Sequence, residues 1–190
     1  LGSYHPEIAK TYYNLTMVYI KQGLFEEALD SIGNAVSIYM RLYGPNHPSL
    51  GMAYQRYGYI YEKQSKYKKA LEYYNLAAGI LIKSYGEKDV RLAPLFQKIS
   101  SISEKQSRYH DAAHYEHKAC NLYTENYTND GYEVASSLNK LGIVYLKQGR
   151  KLEAAKSLLK SNEINVQRNR EKRNVILAPL YNMSPNKSYT

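Results

Sequence analysis

The chain has 190 residues, of which 44% are apolar and 23% are charged, so its composition is that of a folded globular protein and excludes disorder throughout. The formal net charge of +9 allows nucleic acid, acidic membranes or acidic peptides as partners without defining a fold. The single cysteine, Cys120, excludes an intramolecular disulfide, and no apolar run reaches the ~18 residues of a membrane-spanning helix.

The first predicted unit contains two helices joined by a tight turn. Pro6 suits the first turn of a helix, where the missing proline N–H needs no partner. Gly23 is expected to end that helix, and Gly44 followed by Pro45 ends the second. The apolar face of the first helix is formed at helical spacing by Ile8, Tyr12, Leu15 and Tyr19.

The turn between these helices recurs three more times. Its copies read Lys-Gln-Gly/Ser-x and begin 42 residues apart, at Lys21, Lys63, Lys105 and Lys147. A fixed period of this length is typical of repeat proteins, in which each unit buries its apolar face only by stacking on its neighbours. The sequence therefore predicts four full repeats, at about residues 5–46, 47–88, 89–130 and 131–173.

Both ends of the array show partial units. Residues 175–181 resemble residues 90–96, which predicts a partial fifth unit at 174–184 that caps the fourth, followed by a polar tail at 185–190. The basic run at residues 168–173 is expected to form a solvated loop before the last helix. Residues 1–6 resemble residues 43–48, from which we expect further repeats or domains N-terminal to Leu1.

Overlaying the four units gives columns of constant size. The first helices share a small residue, at Thr16, Gly58, Ser100 and Gly142, and the second helices share an alanine, at Ala28, Ala70, Ala112 and Ala154. This pattern of large, small and aromatic positions resembles tetratricopeptide repeats over residues 1–184. The resemblance implies an all-α, right-handed α-solenoid of helix-turn-helix tetratricopeptide repeats, with four full repeats plus a C-terminal half-repeat.

The 42-residue period and the Gly-Pro-Asn-His-Pro connection at residues 44–48 are similar to the long repeats of kinesin light chains and nephrocystin-type proteins. A weaker resemblance is to the repeat module of clustered-mitochondria proteins. The third unit departs from the pattern. Its loop at residues 86–90 lacks the His-Pro pair, Ser103 replaces an aromatic residue, and Glu116 stands where Tyr74 lies one unit earlier.

No nucleophile elbow, glycine-rich phosphate loop or metal-ligand motif is present, which predicts a non-enzymatic chain without a cofactor. His110, His114 and His117 are spaced along one helix face and are a weak candidate for a shared metal ion. We favour a solvated histidine face, with Cys120 as a small core residue, and predict no metal site.

The concave surface of such an array is lined by its first helices, and solenoids usually bind there. The inward columns combine amides and cations with a partly apolar floor, which suits a peptide or partner helix with acidic residues. The predicted peptide-binding groove comprises Tyr13, Asn14, Met17, Gln55, Arg56, Tyr59, Gln97, Lys98, Asn139, Lys140 and Ile143.

These observations favour a non-enzymatic protein–protein interaction scaffold. The resemblance implies a kinesin-light-chain-like cargo adaptor in the cytoplasm, associated with the cytoskeleton or cilium. One alternative is an RNA-associated module of the clustered-mitochondria kind. Nucleic acid is not favoured, because the basic residues are spread along the chain rather than concentrated in a stripe. A second alternative is a structural subunit of a cytoskeletal or axonemal assembly.

Overall fold

The structure, a computed structural model, describes the backbone of residues 4–127 and 131–182 and the side chains of residues 4–127 and 131–171. All regular secondary structure in these ranges is helical, and a short 3₁₀ helix, Val90–Leu92, precedes the fifth α-helix. The α-helices of the described ranges are α1 (Pro6–Gln22), α2 (Phe25–Tyr43), α3 (Pro48–Lys63), α4 (Tyr67–Tyr85), α5 (Ala93–Lys105), α6 (Tyr109–Asn126), α7 (Tyr132–Lys147) and α8 (Lys151–Asn182).

These helices pack in pairs as helix-turn-helix hairpins. The chain has two compact units, residues 1–122 and residues 123–190. In the first unit α1 packs on α2 and α3 packs on α4, while each second helix also packs on the next first helix, α2 on α3 and α4 on α5. In the second unit α7 packs on α8. The predicted all-α fold of stacked helix-turn-helix repeats is confirmed.

The recurring turn is conserved along the chain because its third residue adopts a left-handed backbone. The φ angles at this position are 77° at Gly23, 58° at Ser65, 60° at Ser107 and 75° at Gly149. Glycine takes this conformation without steric cost, whereas serine does so at some strain. In each copy the next residue donates its N–H to a carbonyl in the last turn of the first helix, which closes the cap.

Helices α1 and α3 have a histidine side-chain cap at the same repeat position. His5 Nδ1 accepts from the Glu7 N–H, and His47 Nδ1 accepts from the Ser49 N–H, both at 3.2 Å. In the third repeat Asp89 Oδ1 accepts from the Arg91 N–H at 2.9 Å. Asp89 thus caps the short 3₁₀ helix that precedes α5, at the repeat position of the two histidines. Its bonds to Arg91 lower the pKa of the Asp89 carboxyl to about 2.

The small columns lie where helices touch. Thr16, Gly58, Ser100 and Gly142 are all buried, as are all four members of the alanine column. A Cβ atom added to Gly58 would lie 2.6 Å from the Tyr74 ring, and one added to Gly142 would lie 2.6 Å from Leu158. Both glycines are therefore required for close approach of the two helices of a repeat, as the sequence predicted.

The C-terminal region differs from the prediction. Helix α8 runs without a break from Lys151 to Asn182, so the loop predicted at residues 168–173 is wrong. Residues 168–173 contain no glycine or proline that would end a helix. Gln167 Nε2 donates a hydrogen bond to Glu171 Oε1 at 3.0 Å, one turn along the helix. The partial repeat at 174–184 stays a prediction, since its side chains, like the polar tail, lie outside the described residues.

Three tyrosines stack between α3 and α4. The ring centroid of Tyr73 lies 4.8 Å from that of Tyr57 and 5.3 Å from that of Tyr61. The Tyr57 hydroxyl lies against Gly33 of α2. Burial, followed by the neighbouring tyrosines, raises the pKa of Tyr57 to about 12 from its ordinary value of 10.0. Part of the tyrosine excess in the composition is thus used to join consecutive repeats.

We expect the protein to lose stability in alkali between about pH 10 and pH 12. Folding favours the neutral Tyr57 hydroxyl, since its pKa is raised to about 12 in the folded state. This stabilisation is complete below pH 10 and is lost as pH rises through the folded value, because unfolding then releases a proton. Melting curves across this range should show a flatter pH dependence for Tyr57→Phe. Tyr132→Phe is the exposed control, and an equal slope in both variants would contradict the assignment.

Candidate functional site

A cleft in the first unit brings together side chains from four helices. Its cavity has a volume of about 290 Å³. Six of the predicted groove residues line it, together with Met52 and Tyr74, which the sequence analysis did not identify. The lining consists of Tyr13 and Met17 from α1, Met52, Gln55, Arg56 and Tyr59 from α3, Tyr74 from α4 and Lys98 from α5.

Arg56 is the most constrained cation of the cleft. Its guanidinium carbon lies 4.7 Å from the centroid of the Tyr13 ring, and its Nη1 contacts the Met17 sulfur. Its Nε is buried, and no described residue offers it a hydrogen-bond acceptor. A buried donor without an acceptor costs free energy that an incoming anionic group could recover.

Lys98 lies one repeat further along and makes an equivalent contact. Its Nζ is 5.3 Å from the centroid of Tyr59, just as Arg56 contacts Met17 at the same position of the preceding repeat. Lys98 Nζ also lies 3.6 Å from Glu62 Oε2. Each of the two cations therefore contacts the same position of the first helix in the preceding repeat.

Glu62 was missed by the sequence analysis. Its carboxylate accepts a hydrogen bond from the Tyr74 hydroxyl at 2.7 Å and lies between Lys98 and Lys105, each at 3.6 Å. Burial and this hydrogen bond raise the pKa of Tyr74. The 42-residue period did not point to Glu62, because the equivalent positions in the other repeats have no common residue type. They are Ile20, Glu104 and Leu146.

Other predicted groove residues lie elsewhere. Gln97 Nε2 donates to the buried carboxylate of Glu116 at 3.0 Å, so that its amide faces the repeat interior. Asn14 is exposed on α1 and does not line the cleft. Exposed residues of α7 in the second unit complete the predicted set, and their membership of the groove stays a prediction: Asn139, Lys140 and Ile143.

His110, His114 and His117 are all exposed on α6, whereas Cys120 is buried. Within the described ranges no three His, Cys, Asp or Glu side chains are grouped so that they could hold a metal ion. The structure therefore gives no support to the weak histidine candidate. None of the helices in the described part of the chain is both long enough and apolar enough to span a membrane.

The paired helices, the invariant alanine contacts and the left-handed turns define an all-α tetratricopeptide solenoid. The chain belongs to the tetratricopeptide-repeat family, whose sequence profiles match residues 7–83 and 135–165. Chains of this family are protein–protein interaction scaffolds, and the fold indicates that class of function here. No curated protein sequence matches the chain.

Solved structures with the same fold include BtubC (BKLC) from P. vanneervenii, at 16% identity and a TM-score of 0.76, with 98% of this chain and 70% of that chain covered. Repeats of a putative kinesin light chain from Podosopora anserina align at 14% identity and a TM-score of 0.66, covering 94% and 98% of the two chains. MamA aligns at 16% identity and a TM-score of 0.64, covering 85% and 81%. At these identities the likeness extends to the fold alone.

Proposed function

We propose that the chain is a non-enzymatic adaptor whose cleft binds a peptide segment carrying an acidic residue beside an apolar one. The observation that carries this proposal is Arg56, which lines the cavity and whose buried Nε has no acceptor among the described residues. A ligand carboxylate at this point would accept a charge-assisted hydrogen bond, which is stronger than a neutral one.

The walls of the cleft support the apolar half of the ligand. Met17 and Met52 provide flexible, polarisable surface, and Tyr13 provides a rigid aromatic wall. A volume of about 290 Å³ is at the lower limit for ligand sites, which suits one side chain of a peptide better than a whole cofactor. We therefore expect a single apolar anchor on the ligand, with the carboxylate placed next to it.

The charge of the cleft supports an acidic ligand over a basic one. Arg56 and Lys98 line the cavity, and Lys63 lies 5.3 Å from the Tyr59 centroid. The Glu62 carboxylate is paired with Lys98. Excess positive charge raises the association rate of acidic partners and excludes basic ones, and its effect weakens with salt.

The test uses two labelled peptides that are identical except that one has glutamate wherever the other has lysine, each with one leucine. Fluorescence anisotropy should show binding of the glutamate peptide only, weakening as salt is raised. Arg56→Gln should reduce its affinity by about 30-fold or more, since truncating one partner of a buried charged hydrogen bond costs ~2 kcal/mol or more.

Arg41→Gln is the matched control, because Arg41 also stacks on a tyrosine, 3.9 Å from the centroid of Tyr4, but does not line the cleft. It should bind like the parent. Equal affinity of Arg56→Gln and the parent, or binding of random-sequence RNA with no binding of either peptide, would contradict the proposal. RNA binding would be recognised by its steep salt dependence.

The narrower form of the proposal is a cargo adaptor of the kinesin-light-chain kind, acting in the cytoplasm at the cytoskeleton. Its support is the fold shared with the putative kinesin light chain repeats. If the chain binds the acidic peptide but does not associate with the cytoskeleton in cells, the cargo-adaptor role is contradicted. The proposal of peptide binding in the cleft is then unaffected.

A further inference from the structure

Helix α8 exposes an apolar stripe on the side away from α7. Leu152 and Leu159 are 66% and 63% exposed, and Val166 is 41% exposed. These residues are spaced seven apart, and exposed Ala155 and Asn162 fall between them, which is the spacing of a coiled-coil seam. The buried face of α8 lies roughly opposite and is formed by Ala154, Ser157, Ser161 and Ile164.

The two leucines of this stripe are specific to the fourth repeat, whereas Ala155 and Val166 stand at positions that are also apolar in α2 and α4. At the position of Leu152 the earlier repeats have Glu26, Lys68 and His110, and at the position of Leu159 they have Gly33, Asn75 and His117. Polar side chains are the ordinary choice for an exposed helix face, and two exposed leucines seven residues apart on one face form a surface that a partner helix could cover. Helix α8 is also 32 residues long, against 19 in α2 and α4, which lengthens the surface available for pairing.

A further repeat stacked on α8 is not the occupant that the sequence favours. Asn165 stands where Tyr39 and Leu81 are buried, and Asn162 stands where Ala78 is buried. In α2 and α4 this face packs against the next first helix, whereas in α8 it is exposed and amide-bearing.

We infer that α8 pairs with α8 of a second copy of this chain, antiparallel, through the stripe Leu152, Ala155, Leu159, Asn162 and Val166. Charge complementarity favours this occupant and this direction. Lys156 and Glu163 lie on one edge of the stripe, and in an antiparallel pair that edge faces itself. Lys156 then lies opposite Glu163 of the second copy, and two-fold symmetry makes the contact twice.

A parallel pair lacks this match. The Lys156 edge would then face the opposite edge of the stripe, which carries Leu158 and Asn165 and offers no carboxylate. Asn162, the polar member of the seam, further restricts the register in which two stripes can pair. The inference concerns a surface separate from the cleft and is independent of the proposed peptide binding.

Sedimentation equilibrium of the 190-residue chain should show a monomer–dimer equilibrium that does not proceed beyond the dimer. Leu152→Glu with Leu159→Glu should give a monomer with the helical circular dichroism of the parent, because both side chains are exposed. Leu76→Glu, at a side chain 54% exposed on α4, is the matched control and should still dimerise. A monomeric parent, larger oligomers, or a dimeric double variant would overturn the inference.

The direction of pairing has its own test. Lys156→Glu alone and Glu163→Lys alone should each weaken the dimer on the order of tenfold, because like charges then face each other twice. An equimolar mixture of the two variants should recover a dimer, since every facing pair becomes attractive. Failure of the mixture to recover the dimer would overturn the antiparallel arrangement.

Discussion

Replacing Gly58 with alanine should destabilise the protein, although alanine is the better helix former. The added Cβ would lie 2.6–2.9 Å from three carbons of the Tyr74 ring. Tyr74 cannot move aside easily, because it is 1% exposed and its hydroxyl is bonded to Glu62 at 2.7 Å. Overpacking of this kind costs ~1–3 kcal/mol and outweighs the ~1 kcal/mol gained in helix propensity.

The measurement is thermal unfolding of Gly58→Ala beside Gly79→Ala. A Cβ at Gly79, on the exposed side of α4, meets nothing within 4 Å, so this control should gain ~0.5–1 kcal/mol. For a chain of this size a change of 1 kcal/mol shifts the Tm by about 2–4 °C. The two variants should therefore move in opposite directions. An increase in Tm for both would mean that the first and second helices of the repeat are not in contact at Gly58.

The same pair of residues shows why the fold could be predicted from the sequence. Gly58 belongs to a column that is small in every repeat, and its partner column in the second helices begins with Ile32 and Tyr74. A 42-residue period reports such contacts several times over, so a chance match in one repeat is corrected by the others. The turns were equally predictable from the sequence, because glycines such as Gly23 and Gly149 favour the left-handed backbone that these turns require.

The cleft was only partly predictable, because its decisive contacts do not repeat. Arg56 and Lys98 could be predicted because they share one column of the repeat. Glu62 could not, because its column has no common residue type and its pairing with Lys98 depends on side-chain conformation. Gln97 occupies a groove column, yet its amide is directed to Glu116, which replaces the buried aromatic residue of the preceding repeat. The glutamate at position 116 thus binds the Gln97 amide, which the repeat pattern alone places in the groove.

The length of α8 differs from the prediction for another reason. The segment around Arg168 and Arg170 is polar, which favours a solvated loop, but it contains neither glycine nor proline to end a helix. Arginine, glutamine, glutamate and lysine are good helix formers, so an exposed helix has the same composition as a solvated loop. Arg168 in fact lies over the ring of Tyr132, 5.4 Å from its centroid, which joins α8 to α7.

Replacing Glu62 should separate the stability of the cleft from its affinity. Glu62→Gln removes the charge but keeps an oxygen that can accept from the Tyr74 hydroxyl, so the fold should be little affected. Glu62→Ala removes that acceptor and leaves the buried hydroxyl unsatisfied, which costs ~1–3 kcal/mol. Thermal unfolding should therefore rank the alanine variant well below the glutamine variant.

Glu62→Gln should raise the affinity for the glutamate peptide, although it does not stabilise the fold. In the parent chain Lys98 is 3.6 Å from Glu62, so a ligand carboxylate must compete with that ion pair. A partly exposed pair contributes ~0.2–1 kcal/mol, so Glu62→Gln should tighten peptide binding by roughly 1.5- to 5-fold, most clearly at low salt. Weaker binding by Glu62→Gln would show instead that Glu62 holds Lys98 in the orientation that the ligand needs. Arg56→Gln in the Glu62→Gln background distinguishes the two cations, because the gain at Lys98 should persist while the contribution of the buried Arg56 Nε is lost.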